Sequence, residues 1–308
     1  MSEIPEASIK ASAGRQHDAR GSHFVGVGLL LITILGWGIN WPVMKVLLAE
    51  WPPLFARGSS GLIAGLGIAI LARFQGENLG VPAGSRLRMI VASLFNVTAW
   101  MGLASLAMSW LSVGEAAMII YTMPIWATVL AWPINGTKPR ISGVLALVLG
   151  MGGISVVLAG RGVELDDDKL LGIVCAFSAA VMFAISTIAV RPPVGVAPIS
   201  GTAWQLVLGS VPMLLIGVFV EQPETYALSP MALWSWLYMS IVAMALCYFC
   251  WFAALRRLPP TMASLGTMLI PVIGTVSAAY VLGEPFGIRE VTALGLVVTG
   301  IGLALTGR

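Results

Sequence analysis

The stretch LGWGINWPVMK, residues 35–45, sets Trp37, Asn40, Trp41, Pro42 and Lys45 within three helical turns of a very apolar run. Trp37, Asn40 and Trp41 are spaced i, i+3, i+4 and share one helix face. An amide facing hydrocarbon leaves several hydrogen-bonding groups unmet, so this face should look at protein or at water. Trp37 comes about thirteen residues, or ~20 Å, after Phe24, too deep for an interfacial aromatic belt. Pro42 lacks a backbone N–H, so it can bend the helix and free a carbonyl towards a cavity. Such groups hold a planar, partly polar small molecule; they do not make or break bonds. The face reads as cavity-lining. Asn40 as a simple tie between helices is the alternative. For Trp41 and Lys45, nearer the helix end, the alternatives are belt anchoring and snorkelling.

Further groups could complete such a site. Arg57 could clamp a substrate carboxylate through two parallel N–H bonds, or form a structural pair with Glu50 or Glu115. Trp100 and Tyr121 fall at mid-depth of their runs, and Tyr248, Trp251 and Met268 occupy related places later in the chain. Rings around a central space suit a planar apolar solute, although large residues also simply fill bundles. Asn96, Ser186, Trp204 and Gln205 are polar or amphipathic residues at useful depth. Pro124 and Pro271 mark bends where moving parts of a gate would lie, with Pro42 as a third; inert kinks are the alternative. Lys45 and Glu115 place charge at the outer vestibule.

Those residues need elements to hold them. The chain is 58% hydrophobic and only 10% charged, where a soluble domain carries roughly a quarter charged residues. Apolar runs long enough to cross a ~30 Å hydrocarbon core are bounded by charge, Pro or Gly. They predict ten transmembrane helices, at 24–48, 53–72, 87–109, 113–133, 141–160, 169–190, 198–220, 230–254, 260–282 and 288–306. Residues 1–23, polar and carrying both histidines, read as a disordered cytoplasmic tail. With the N-terminus inside, twelve of the 17 Lys and Arg residues fall on the cytoplasmic side. The positive-inside rule therefore puts both termini in the cytoplasm. Cys175, Cys247 and Cys250 lie in apolar runs with no metal-site spacing.

The chain also repeats itself at a spacing of about 147 residues. Gly26 aligns with Gly172, Trp37 with Phe183, Asn40 with Ser186, Lys45 with Arg191 and Pro124 with Pro271. Five helices per half, at 24–160 and 161–308, is an odd number, so the second half enters the membrane from the opposite side. The expected fold is an all-α polytopic membrane protein with ten transmembrane helices in a 5+5 inverted-topology repeat. That symmetry is a signature of secondary transporters, whose site lies near the midplane between the halves.

GWGINWPVMK followed by PLFARGSSGL (53–62) resembles the opening of the EamA-type branch of the drug/metabolite transporter superfamily. The Pro, Gly-Glu and Gly-rich ending of residues 253–305 is similar to the end of that branch. Gly136-Thr-Lys stands where the second half has Gly283-Glu284, so the first half lacks that acid. The resemblance covers nearly all of the chain after residue 23 and implies export of small metabolites. Within the branch it is most like the bacterial aromatic amino-acid exporters. A multi-pass protein of the bacterial inner membrane follows from the same resemblance.

The expected function is secondary transport of an amino acid or similar metabolite outward by alternating access. The rival readings are an exporter or uptake permease for another small solute, and a membrane scaffold or sensor. No Asp lies in a span, and the first helix ends in Lys45 where a cation exporter would be expected to carry a buried carboxylate in that helix, so the solute is expected to be anionic at one end. Proton coupling and facilitated flow both remain open, with Glu115 the first suspect for a relay. No nucleophile–base pair, phosphate-binding loop or zinc motif points to an enzyme, and no cofactor is expected. The expected partners are the solute and the lipid bilayer, with no nucleic acid, and the chain should be a monomer or weak homodimer through its Gly-rich helices.

Overall fold

The computed structural model describes residues 6–306 except 137, 139–140, 160–166, 191–192, 225–226, 260–261 and 263–265, and side chains between 23 and 303 apart from 157–159 and those gaps. The described chain forms ten helical spans. These are α1 (Glu6–Leu48), α2 (Pro53–Phe74), α3 (Ala83–Trp110), α4 (Val113–Asn135) and α5 (Ile141–Ala159). The second half supplies α6 (Asp167–Ala189), α7 (Pro198–Glu221), α8 (Pro230–Leu255), α9 (Leu269–Leu282) and α10 (Ile288–Thr306). Seven of them are by themselves long and apolar enough to cross a membrane. The described part of α9 is only 14 residues, because much of the stretch expected to begin it lies outside the described residues.

Residues 6–22 are helical and continuous with α1. The segment holds four Ala and two Arg, contains no Pro, and grows from a span that already supplies the costly helix nucleus. Residues 1–5 lie outside the described residues.

Helix packing repeats the sequence symmetry. α2 packs on its own counterpart α7, and α5 on its counterpart α10. α1 packs on α8 and α9, while α6 packs on α3 and α4. Exchanging the halves leaves this pattern unchanged, as a pseudo-twofold axis requires. Small residues let the backbones close. A Cβ on Gly61 would stand 2.2 Å from Ser210 Oγ, and one on Gly300 2.9 Å from the Ala146 carbonyl oxygen. Van der Waals fit drives helix association here, since lipid tails are as apolar as leucine. Accordingly α1 turns Leu31, Leu35 and Ile39 outward and buries Ile34, Trp41 and Met44.

Helix ends are closed by carboxylates from the other half. Glu221, at the end of α7, accepts the Leu54 and Phe55 N–H groups at the start of α2, at 3.0 and 2.8 Å. Its counterpart Glu77, after α2, accepts from the N–H and hydroxyl of Ser200 in α7, both at 2.9 Å. Glu284 accepts the Val113 N–H at the start of α4 at 2.8 Å. Glu50 accepts from the Ser229 N–H and hydroxyl at the start of α8. Each places negative charge where a helix has unpaired N–H groups and a positive dipole end.

Two predictions follow from these caps. Glu221→Ala should destabilise the protein by about 1–2 kcal/mol, read as a lower unfolding midpoint in detergent; an unchanged midpoint would rule out the cap. The Ser229 hydroxyl and then its N–H hold the Glu50 carboxyl below the usual carboxylate range. A depressed folded-state pKa gives stability that is present above the unfolded value of roughly 4.3 and is lost as pH falls through the folded value. The Tm gap between wild type and Glu50→Gln should therefore be full at neutral pH and shrink below about pH 4.

Candidate functional site

The LGWGINW stretch is built for close approach on two sides. A Cβ on Gly36 would lie 2.3 Å from Cys247 Sγ in α8, and one on Gly38 2.5 Å from Ile273 Cγ2 in α9. The two glycines thus bring α8 and α9 onto α1. The Tyr238 hydroxyl donates to the Gly36 carbonyl at 3.0 Å. Between them, Trp37 donates its indole N–H to the Ala243 carbonyl at 2.8 Å. Ala243 lies in a π-helical segment of α8, Tyr238–Leu246, and α3 has its own π-helical segment at the counterpart place, Leu94–Ala99. Wide turns of this kind leave carbonyls for other donors and are frequent at functional sites.

Rings gather around this contact. Trp37 lies 5.3 Å from Tyr248 and 5.7 Å from Trp251 between ring centroids. Trp41, the next turn along, is 6.0 Å from Tyr121 and packs over Gly274 of α9. Arg57 reaches into the same interior, 8% exposed, with the Tyr121 and Tyr248 hydroxyls within electrostatic reach. Among the described residues no carboxylate pairs with it, and its Nε has no hydrogen-bond partner. The expected alternative partners are both engaged elsewhere: Glu50 on Ser229, and Glu115 in an ion pair of 2.9 Å with Lys169 and a capping box with Ser112. Asn40 Oδ1 and Trp100 Nε1 are also buried without a partner among the described residues. Buried polar groups are nearly always satisfied, so several orphans in one interior call for an explanation.

A second group of expected residues meets elsewhere. Asn96 donates to Gln205 Oε1 at 3.0 Å, and the Ser186 hydroxyl donates to Asn96 Oδ1 at 2.6 Å. With Ala92, Thr187, Val190 and Pro193 they line a cavity of about 240 Å³, at the end of α6 and the start of α7. Trp100, one turn along α3 from Asn96, lies 5.2 Å from Phe183 of α6.

The helix breaks fall where the repeat puts them. α4 is interrupted at Tyr121-Thr122, with Pro124 opening its second part. Met268 forms a turn just before α9, three residues ahead of Pro271, and packs, like Tyr121, against the buried cluster around Met118 and Val297. Pro42 lies inside α1.

Three expected residues are occupied by structural bonds. Lys45 was expected to face an outer vestibule; instead its ammonium donates to the Met108 and Leu111 carbonyls, the latter at 2.8 Å. Those are the last carbonyls of α3, the negative end of its dipole and the natural acceptors for a cation. Glu115 is held as described above. Trp204 donates to the Leu79 carbonyl at 2.8 Å, which ties α7 to the α2–α3 connection and leaves it outside the ring cluster. Sequence reasoning missed Met44, whose sulfur Arg57 points at, and Ser105, whose hydroxyl points at the same sulfur. Their types carry no signal, since Met and Ser are common in buried helices. Phe183 was signalled as the repeat counterpart of Trp37.

The profile of the EamA-like transporter family matches the chain twice, over residues 24–159 and 170–306. The chain belongs to the EamA-like transporter family. Those two matches are the two halves whose helices exchange contacts above. The chain is 29% identical over 287 residues to an uncharacterised transporter of Bacillus subtilis (strain 168), covering 90% of each. It is 26% identical over 294 residues to a probable amino-acid metabolite efflux pump of Salmonella typhimurium, covering 89% of this chain and 92% of that one. A crystal structure with 17% sequence identity has the same fold, with a TM-score of 0.62 over 92% of this chain and 96% of that one. The protein is therefore a non-enzymatic, multi-pass membrane transporter of small solutes.

Trp37→Phe keeps a ring but removes the N–H that satisfies Ala243. It should lower stability by about 0.5–1.5 kcal/mol and speed amide exchange in α8 around residue 243. Unchanged exchange there would show that the bond does not hold the wide turn.

Proposed function

We propose that the protein exports amino acids, aromatic ones included, by alternating access across the bacterial inner membrane with both termini in the cytoplasm. The observation that carries this reading is Arg57. A guanidinium buried among Tyr121, Tyr248 and the Trp37–Trp41 face, with no carboxylate pairing it among the described residues, is matched by a solute that brings its own carboxylate and an apolar or aromatic body. Asn40 Oδ1 is an acceptor suited to an ammonium group. The efflux activity stated for the Salmonella relative supports the same direction and class.

The two halves differ in a way that suits alternating access. The polar cavity is lined by Ser186 and Thr187 of α6 and by Val190 just past its end. By the repeat spacing, their counterparts in α1 are Asn40, Trp41 and Met44, all buried against neighbours. One half holds space at positions where the other is packed. In the proposed orientation that space faces the cytoplasm, as an exporter's loading side should. The outward side is tied by Lys45 on α3, Glu284 on α4, Glu221 on α2 and Glu50 on α8. Glu115 is engaged by Lys169 and Ser112, so flow down the solute's own gradient needs no proton relay.

Uptake of labelled tryptophan, phenylalanine and threonine into proteoliposomes tests this. Wild-type protein should give saturable uptake without a pH gradient. Arg57→Ala should cut kcat/KM by about 10- to 100-fold, the loss of a charge-assisted hydrogen bond, while the protein stays folded. Undiminished uptake by Arg57→Ala would remove the carboxylate assignment.

A further inference from the structure

The helical serines around the site mostly turn back on their own helices. Ser60 donates to the Ala56 carbonyl, Ser93 to Met89 and Ser240 to Trp236, each four residues earlier at 2.7–2.8 Å. Ser105, in α3 and 1% exposed, does not: its hydroxyl points at Met44 Sδ at 3.6 Å. Arg57 Nη1 points at the same sulfur at 4.0 Å. Two buried donors, one charged, thus converge on a thioether, which is a weak acceptor. A carboxylate is what a guanidinium and a hydroxyl bind well.

We propose that the Met44 thioether holds the place of the solute carboxylate, and that Arg57 and Ser105 together receive that carboxylate once the Met44 side chain swings aside. The inference rests on the amino-acid reading above and adds to it a second donor and a displaceable plug. Three rotatable bonds make methionine easy to move within a packed interior. Pro42, two residues before it, has no N–H to pin that turn of α1 to the Gly38 carbonyl. The repeat supplies an internal comparison. Val190, the repeat counterpart of Met44, lines the 240 Å³ cavity, so a shorter side chain coincides with space at that position. A displaceable methionine also acts as a filter. A solute lacking a carboxylate has nothing to offer Arg57 and Ser105 in return for moving it.

Binding of phenylalanine and of phenylalaninamide, which has the same body without the carboxylate, can be compared by calorimetry on the full-length protein in detergent. Wild type should prefer phenylalanine. Ser105→Ala should weaken phenylalanine binding about tenfold and leave phenylalaninamide unchanged, whereas Ser105→Thr, which keeps the hydroxyl, should stay within about threefold of wild type. Met44→Val, copying the repeat counterpart, should tighten phenylalanine binding severalfold because no plug need move. Wild-type phenylalanine affinity in Ser105→Ala, with affinity lost in Arg57→Ala, would overturn this inference and leave the transport reading standing. Equal wild-type binding of the acid and the amide would overturn both.

Discussion

Hydrocarbon offers no hydrogen bonds, so every polar group that this chain takes into a membrane must find its partner in the protein. Regular helix satisfies the backbone of the spans, and the ends remain. The structure meets that demand with acidic residues placed just past one helix and aimed at the first N–H groups of another. It meets the opposite demand, at the end of α3, with an ammonium. Four acids and one lysine at the span ends are thereby committed. What is left over stands out: an arginine deep among rings with no acid pairing it in the described structure, and an amide oxygen in the same interior without a donor.

Function grows from those leftovers and from the way the helices deform. Glycines at 36 and 38 draw α8 and α9 onto α1, so that its aromatic face meets other aromatics instead of lipid. Counterpart helices α3 and α8 both carry π-helical segments, and α4 and the start of α9 both break near a proline. The site therefore lies where regular helix fails in both halves at once. Irregular backbone at membrane depth is tolerated where protein or a cavity surrounds it.

Much of this was legible in the residues. Apolar run length gave most of the spans to within a few positions, the start of α9 excepted, because span length is fixed by bilayer thickness. Asn40 and Trp37 could be read as interior-facing, since an amide and a deep indole are poor company for lipid. Partners were less legible. Lys45 looks like a vestibule charge in a linear reading because nothing local reveals that the end of α3 lies beside it. Ser105 and Met44 carry no distinctive type or spacing; only the convergence of Ser105 and Arg57 on the Met44 sulfur marks them.

The crossing of the caps between halves bears on how the chain is made. The acceptor for the Leu54 N–H is Glu221, 167 residues later in the sequence. At synthesis rates of about 5–20 residues per second, roughly ten to thirty seconds pass before it leaves the ribosome. Throughout that interval the start of α2 must borrow water or lipid headgroups at the membrane surface. Ser229, by contrast, emerges to find Glu50 already made. The early half therefore enters the membrane with debts that only the late half settles, and a chain stalled midway would expose bare helix ends to quality control.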